Sequence, residues 1–177
     1  MLEHRSALAA ARPYTSSVLK IAELPGFTLT QVAGLAPDFE ARLGAVFGDL
    51  PSTVGKAVEA GGHTLMRIGP VQFWIIGAGN DDTATRLQGV GAVTPLSHSR
   101  SRIVIEGAPV RDVLAKGIPL DFHASAFIPG MFAMTGLHHT PVLVHCVSPD
   151  RFELYVLRTF AMSVWEWLAD AALEYAN

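Results

Sequence analysis

The chain has 177 residues, a formal net charge of −3, 50% hydrophobic residues and 16% charged ones. That length suits one domain with room for two lobes, and a core needing neither disulfide nor metal. The slight acidic excess leaves nothing to neutralise a nucleic-acid backbone. Charged residues fall below the roughly 25% of an average soluble domain, so either the chain is a compact Ala-rich domain or part of its surface is covered by a partner.

In chain order, Met1 to Ser17 is read as an N-terminal arm. Its Ala-rich run is broken by Arg12 and Pro13 before it reaches signal-peptide length. Residues 18–177 are read as one α+β domain whose two lobes split near Val90. "FTLTQVAG", Phe27 to Gly34, has strand composition and a closing glycine. "APDFEARLGAVFG", Ala36 to Gly48, predicts a helix: Pro37 suits a first turn, Asp38 and Glu40 an N-terminus, and Gly48 a stop. "HTLMRIGPVQFWIIG", His63 to Gly77, predicts a hairpin turning at Gly69-Pro70. "NDDTATRLQGV", Asn80 to Val90, opens with capping residue types and predicts a helix.

The second half repeats the alternation. A strand is expected over Arg102 to Glu106, with Ile103 and Ile105 on one face. A helix follows from about Ala108 to Lys116, stopped by Gly117 and Pro119. Three strands come next, "GMFAMTGL", "PVLVHCV" and "FELYVLR", the last preceded by the turn "SPDR". "RTFAMSVWEWLADAALEY", Arg158 to Tyr175, predicts a terminal helix. This order gives an α+β fold with mixed or antiparallel sheets crossed by helices, not a doubly wound parallel sheet.

Cys146 is the single cysteine, so no intrachain disulfide can form and a reducing compartment fits. No stretch reaches the roughly 20 apolar residues of a membrane span. The expectation is a soluble cytoplasmic protein.

The chemical motifs are incomplete. "WIIGAGNDDTA" has Gly77 and Gly79 after a strand but lacks the third glycine of a dinucleotide loop, and Asp81 and Asp82 stand where a phosphate would approach. His138, His139, His145 and Cys146 are the only His/Cys cluster. Along an unbroken strand His139 and His145 lie about 20 Å apart, too far for one zinc with bonds of about 2 Å. Only a turn at Thr140-Pro141 would bring them together. "LSHSRSR" clusters serines with His98, but no nucleophile elbow exists. Asp121 and His123 form either a ligand clamp or a loop pair fixing its own backbone. No catalytic residue, cofactor site or metal site is expected in this chain.

The terminal helix carries Trp165 and Trp167, which point about 200° apart at about 100° per residue. Ala161, Val164, Trp165, Leu168, Ala172 and Tyr175 make the core stripe. Trp167 points away from it, among Ser163, Asp170, Ala171 and Glu174. It therefore meets either a loop of its own domain, the N-terminal arm or a partner; tryptophan is enriched at binding hot spots.

"LSHSRSRIVIEGAPVRDVLAKGIPLDFHASAF", Leu96 to Phe127, and "FELYVLRTFAMSVWEWLADAALEY", Phe152 to Tyr175, resemble the gamma subunit family of heterotetrameric sarcosine oxidase. The family's features are a His-Ser-Arg segment, an Arg-Ile strand, a "DVLAKG" helix, an Asp-Leu-His step and an ending close to "YVxRSFAxSLWEWLxDAAxEY". "DFH" and "RTFA" depart mildly from the family's pattern, and the matching covers Val90 to Tyr175. The resemblance implies the fold of the folate-binding domains of aminomethyltransferases and tRNA-modifying GTPases. It implies a complex that oxidises sarcosine to glycine, makes hydrogen peroxide and passes the one-carbon unit to tetrahydrofolate. FAD, FMN, NAD and tetrahydrofolate would sit in the large alpha and beta subunits, with a small delta subunit completing the heterotetramer. On this reading Trp167, His98, Arg100 and His123 are the candidate interface residues. Two alternatives stand beside it: a similar subunit of an N-methylglutamate dehydrogenase, and a stand-alone folate-binding one-carbon protein. "KGIPLDF", Lys116 to Phe122, lacks the cysteine, tyrosine, glutamine and glutamate of the "KGCYxGQE" loop of one such folate-binding family.

Overall fold

The computed structural model describes residues 5–79 and 82–176. In chain order the elements are β1 (Tyr14–Thr15), β2 (Leu19–Glu23), β3 (Phe27–Ala33), α1 (Phe39–Phe47), β4 (Ala57–Ala60), β5 (His63–Gly69), β6 (Gln72–Ala78), α2 (Thr83–Arg86), β7 (Ala92–Pro95), β8 (Arg100–Gly107), α3 (Val110–Ala115), β9 (Phe132–Leu137), β10 (Thr140–Ser148), β11 (Arg151–Leu157) and α4 (Ala161–Ala171). They divide into two units, one of Met1–Pro25 with Ser99–Asn177, the other of Gly26–His98. Each unit is a sheet with helices on one face. The strand orders are β1-β2-β8-β11-β10-β9 and β4-β5-β6-β3-β7. Every ladder described is antiparallel, so the α+β expectation narrows from mixed to antiparallel.

In the Gly26–His98 unit, β5 and β6 form the expected hairpin, with a bulge between Arg67 and Gly69. α1 begins after Asp38, whose carboxylate pairs with Arg42 one turn on. It buries Phe39, Leu43 and Phe47 against Val32, Leu65, Phe73 and Ile75 of the sheet. Two strands here were not expected. β4, "AVEA", is poor in strand-forming residues. β7, "AVTP", ends in a proline that donates nothing, which is tolerated because β7 is an edge. The helix expected over 80–90 shrinks to the single turn of α2. Its capping residues Asn80 and Asp81 lie outside the described residues.

In the other unit the parity of the strands sorts the residues. Ile103, Ile105, Val142, Val144, Cys146, Phe152, Leu154 and Val156 face α3 and α4. Leu19 and Ile21 add β2, a strand the sequence reading did not mark, to the same core. β1 and the residues before it join too: Leu8 is buried, the Ser6 hydroxyl bonds to the Glu23 carboxylate, and the Tyr14 hydroxyl of β1 donates to the Ala172 carbonyl. The expected continuous terminal helix is α4 flanked by short 3-10 turns at Arg158–Phe160 and Leu173–Tyr175. Among the described residues no helix is long and apolar enough to cross a membrane.

Candidate functional site

α4 buries Ala161, Val164, Trp165, Leu168 and Ala171, with Ala172 just beyond it. Trp165 retains only 6% exposure, so the predicted core stripe is the observed one, except that Tyr175 is half-buried. Trp167 is half-buried, and what covers it comes from the same chain. A Cβ built on Gly117 would lie 2.3 Å from Cζ2 of the indole, so only glycine permits this contact. Gly117 therefore does more than stop α3: it is the floor on which Trp167 rests. The His138 ring meets the indole edge-on, with centroids 5.9 Å apart. His138 is the one described non-glycine residue with positive φ, 51°, and its N–H donates to the Gly117 carbonyl. Beside them the Lys116 ammonium donates to the Ala171 carbonyl at 2.6 Å, at the negative end of α4. It also pairs with Glu174; that hydrogen bond holds the Glu174 carboxyl below the usual range. Trp167 thus rests on a loop of its own domain, and only the remainder of its surface is open to a partner.

α3 positions a second cluster. Arg111 donates from Nε to the Pro149 carbonyl at 3.0 Å, and from Nη1 to the Phe122 and Phe127 carbonyls at 2.8 and 3.0 Å. Its Nη2 reaches Cys146 Sγ at 3.7 Å, and the guanidinium lies 5.0 Å from the Phe152 ring centre. Phe122, Phe127 and Phe152 pack together, with centroids 5.8 to 6.2 Å apart. One cation and three rings therefore pin the long connection between α3 and β9. Within it, Asp121 Oδ1 accepts the His123 N–H at 2.8 Å, and His123 Nδ1 lies 2.8 Å from Ser125 Oγ. Of the two readings of Asp121 and His123, the structure shows the loop pair that fixes its own backbone. His123 stays exposed beside a pocket of about 450 Å³. Burial pushes the Cys146 thiol up, against the opposing pull of Arg111, which suits a packing residue and not a nucleophile.

The opposite face of the same sheet carries the third cluster. The Glu153 carboxylate accepts from Arg102 Nε at 2.9 Å and Nη2 at 2.8 Å, and from the Tyr155 hydroxyl at 3.1 Å. Glu153 is 3% exposed. Both its oxygens are engaged, and the pairing ties strands β8 and β11 together in their register.

The remaining predicted residues are spread out. His98 is exposed at the end of the Gly26–His98 unit. Arg100 opens β8 on the face shared with Arg102, away from the helices, while Trp167 and His123 lie on the helix side. Arg100 donates to the Ser99 carbonyl and hydroxyl, and burial lowers its pKa. The turn that would have joined His139 to His145 does not form at Thr140-Pro141, because Thr140 and Pro141 are within β10 and the chain turns before it, at His138 and His139. His145 and Cys146 point to opposite faces. Among the described residues no group of three or more His, Cys, Asp or Glu could hold a metal.

The chain matches the family described as "Sarcosine oxidase, gamma subunit family" over residues 35–174. It is 30% identical over 143 residues to the sarcosine oxidase subunit gamma of Corynebacterium sp. (strain U-96), a match spanning 77% of this chain and 70% of that protein. A chain of the heterotetrameric sarcosine oxidase from Corynebacterium sp. U-96 in complex with pyrrole 2-carboxylate superposes with a TM-score of 0.87 at 27% identity, over 98% of this chain and 97% of that one. The glycine cleavage system aminomethyltransferase T from Bartonella henselae shares the fold, with a TM-score of 0.66 at 16% identity over 87% of this chain and 46% of that one.

Proposed function

Because this chain belongs to the sarcosine oxidase gamma subunit family, we propose that it is the small, non-catalytic subunit of a heterotetrameric sarcosine oxidase. Its partners are the large alpha and beta subunits and a small delta subunit. The complex removes the N-methyl group of sarcosine oxidatively, leaving glycine, reducing oxygen to hydrogen peroxide and handing the one-carbon unit to tetrahydrofolate. FAD, FMN, NAD and the folate belong to the large subunits. The sequence supports placing the dinucleotides there: "WIIGAGNDDTA" lacks the third glycine of a phosphate-binding loop and carries Asp81 and Asp82 beside it. On this reading no step of the reaction is routed through this chain.

The observation that carries this reading is the near end-to-end superposition on a chain of a heterotetrameric sarcosine oxidase. The engaged state of the polar clusters supports the non-catalytic part. Glu153 is saturated by Arg102 and Tyr155, and Arg111 is committed to loop carbonyls. Peroxide release should be measured with this chain alone, with the large and delta subunits lacking it, and with the full set. Sarcosine-dependent peroxide is expected from the full set and none from this chain alone. Turnover by the isolated chain, or stoichiometric flavin or folate binding by it, would overturn the non-catalytic role. A full set that turns over N-methylglutamate and not sarcosine would move the chain to the related dehydrogenases.

A further inference from the structure

The pocket beside His123 sits between the outer side of α3 and the loop that follows it. Its apolar lining comes from Ala115, Leu120 and Phe122, and its polar lining from the exposed Asp112, Asp121 and His123 and from Arg111, whose guanidinium is turned onto the Pro149, Phe122 and Phe127 carbonyls and pairs with neither carboxylate. Neither carboxylate has a cationic partner among the described ion pairs. Asp121 accepts only its own loop's N–H there. The wall is rigid, because Arg111 holds the Phe122 and Phe127 carbonyls and the two rings are sunk into the core. From His123 to Pro129 the loop contains no charged residue, and Ile128 is 41% exposed. A connection this long without secondary structure, held from inside and neutral outside, has the character of a binding loop. Its ordering is supplied before any partner arrives, which lowers the entropic cost of association.

We infer that this pocket and the adjoining loop are the seat of a segment of a large subunit that inserts an apolar side chain and sets a lysine or arginine against Asp112 and Asp121. Charge complementarity selects that occupant: an apolar lining flanked by two unpaired carboxylates matches an apolar residue next to a cation and repels an acidic segment. The inference rests on the subunit reading above.

The test uses the full chain and measures its dissociation constant for the large subunits. Ala115→Arg fills the pocket from an exposed helical position that tolerates a good helix former. It should weaken association roughly ten-fold or more, as loss of a hot-spot contact does. Asp112→Lys should weaken it about five-fold and flatten its salt dependence. Asp49→Lys makes the same charge change in the other unit and should change affinity less than about two-fold. All three should melt near wild type. Hydrogen exchange on the wild-type complex provides a readout free of substitutions: amides of residues 118–128 should gain protection on assembly. If the wild type binds but the two pocket variants bind equally well, or those amides gain nothing, the docking site is wrong while the subunit role stands. If the wild type itself does not bind, both fall.

Discussion

The two units cover one face of an antiparallel sheet with helices, but they secure those helices differently. In the Gly26–His98 unit, α1 is held by Phe39, Leu43 and Phe47 on a small apolar core. Its directional contacts come from two arginines: Arg86 donates to the Val46 carbonyl and sits over the Phe47 ring, and Arg67 sits over Phe73 while bonding Glu40 of α1 and the Pro51 and Pro70 carbonyls. In the Ser99–Asn177 unit the core is larger, and the helix ends are tied by specific contacts. Gly117 fits Trp167, Lys116 caps α4, and Arg111 gathers three carbonyls from two loops. Apolar burial is tolerant of exchange when volume is kept, whereas a half-buried cation holding several carbonyls, or a ring laid on a glycine, is not. The second unit should therefore respond sharply to single, chemically small changes.

The largest effect is expected at Trp165. Trp165→Ala empties a nearly fully buried site and should cost about 3–5 kcal/mol, enough to unfold the chain or nearly so in a thermal melt. Retention of a normal melting temperature would put the core face of α4 elsewhere. Next comes the contrast between two arginines. Arg111→Met leaves three carbonyls without their donor and should cost about 2–4 kcal/mol by denaturant titration. Arg86→Met removes one such bond and should cost about 1 kcal/mol. Equal costs would show that the number of carbonyls an arginine holds does not set the loss.

Gly117→Ala adds a single methyl group where the Trp167 ring lies and should cost about 1–3 kcal/mol. In the background of Trp167→Ala the same change should cost almost nothing, because the clash is gone; additive losses would show that the glycine serves its backbone and not the indole. The smallest effect concerns Glu174. Its carboxyl is held low by Lys116, so its contribution is present above the unfolded carboxyl's pKa of about 4.3 and is lost as pH falls through the lower folded value. Wild type should therefore lose slightly more stability than Glu174→Gln on acidification below about pH 4.5. The group is exposed, so the difference will be small; a reversed sign would contradict the pairing.

The features that were readable in the sequence are those with a short period. The β5–β6 hairpin, β8, β10, β11 and the Trp165 face of α4 all follow from alternation or three- and four-residue spacing along one segment. β4 and β7 were not readable, because Ala, Glu and Pro give no strand signal and only the pairing of neighbouring strands makes them strands. The surroundings of Trp167 were half readable. Its angle on the helix was right, but Gly117 and His138 lie far off in the chain, and no spacing rule connects them. Arg102 and Glu153 meet only through the β8–β11 register. Arg111 gives no sequence signal, because the carbonyls it holds belong to Phe122, Phe127 and Pro149 further along the chain. The motifs that carried the family resemblance fall mainly in the Ser99–Asn177 unit, where exact side chains are needed; the family match itself begins at residue 35 and so reaches into the other unit.

Whether this chain is a subunit is tested most directly by the mass of what it purifies with. The chain should be tagged, co-expressed with the large and delta subunits, isolated under mild conditions and weighed by native mass spectrometry. One copy of this chain in a four-subunit assembly, with flavin leaving alongside the large subunits on dissociation, is the predicted result. Recovery of this chain alone, while the remaining subunits assemble and oxidise sarcosine at full rate without it, would contradict the account.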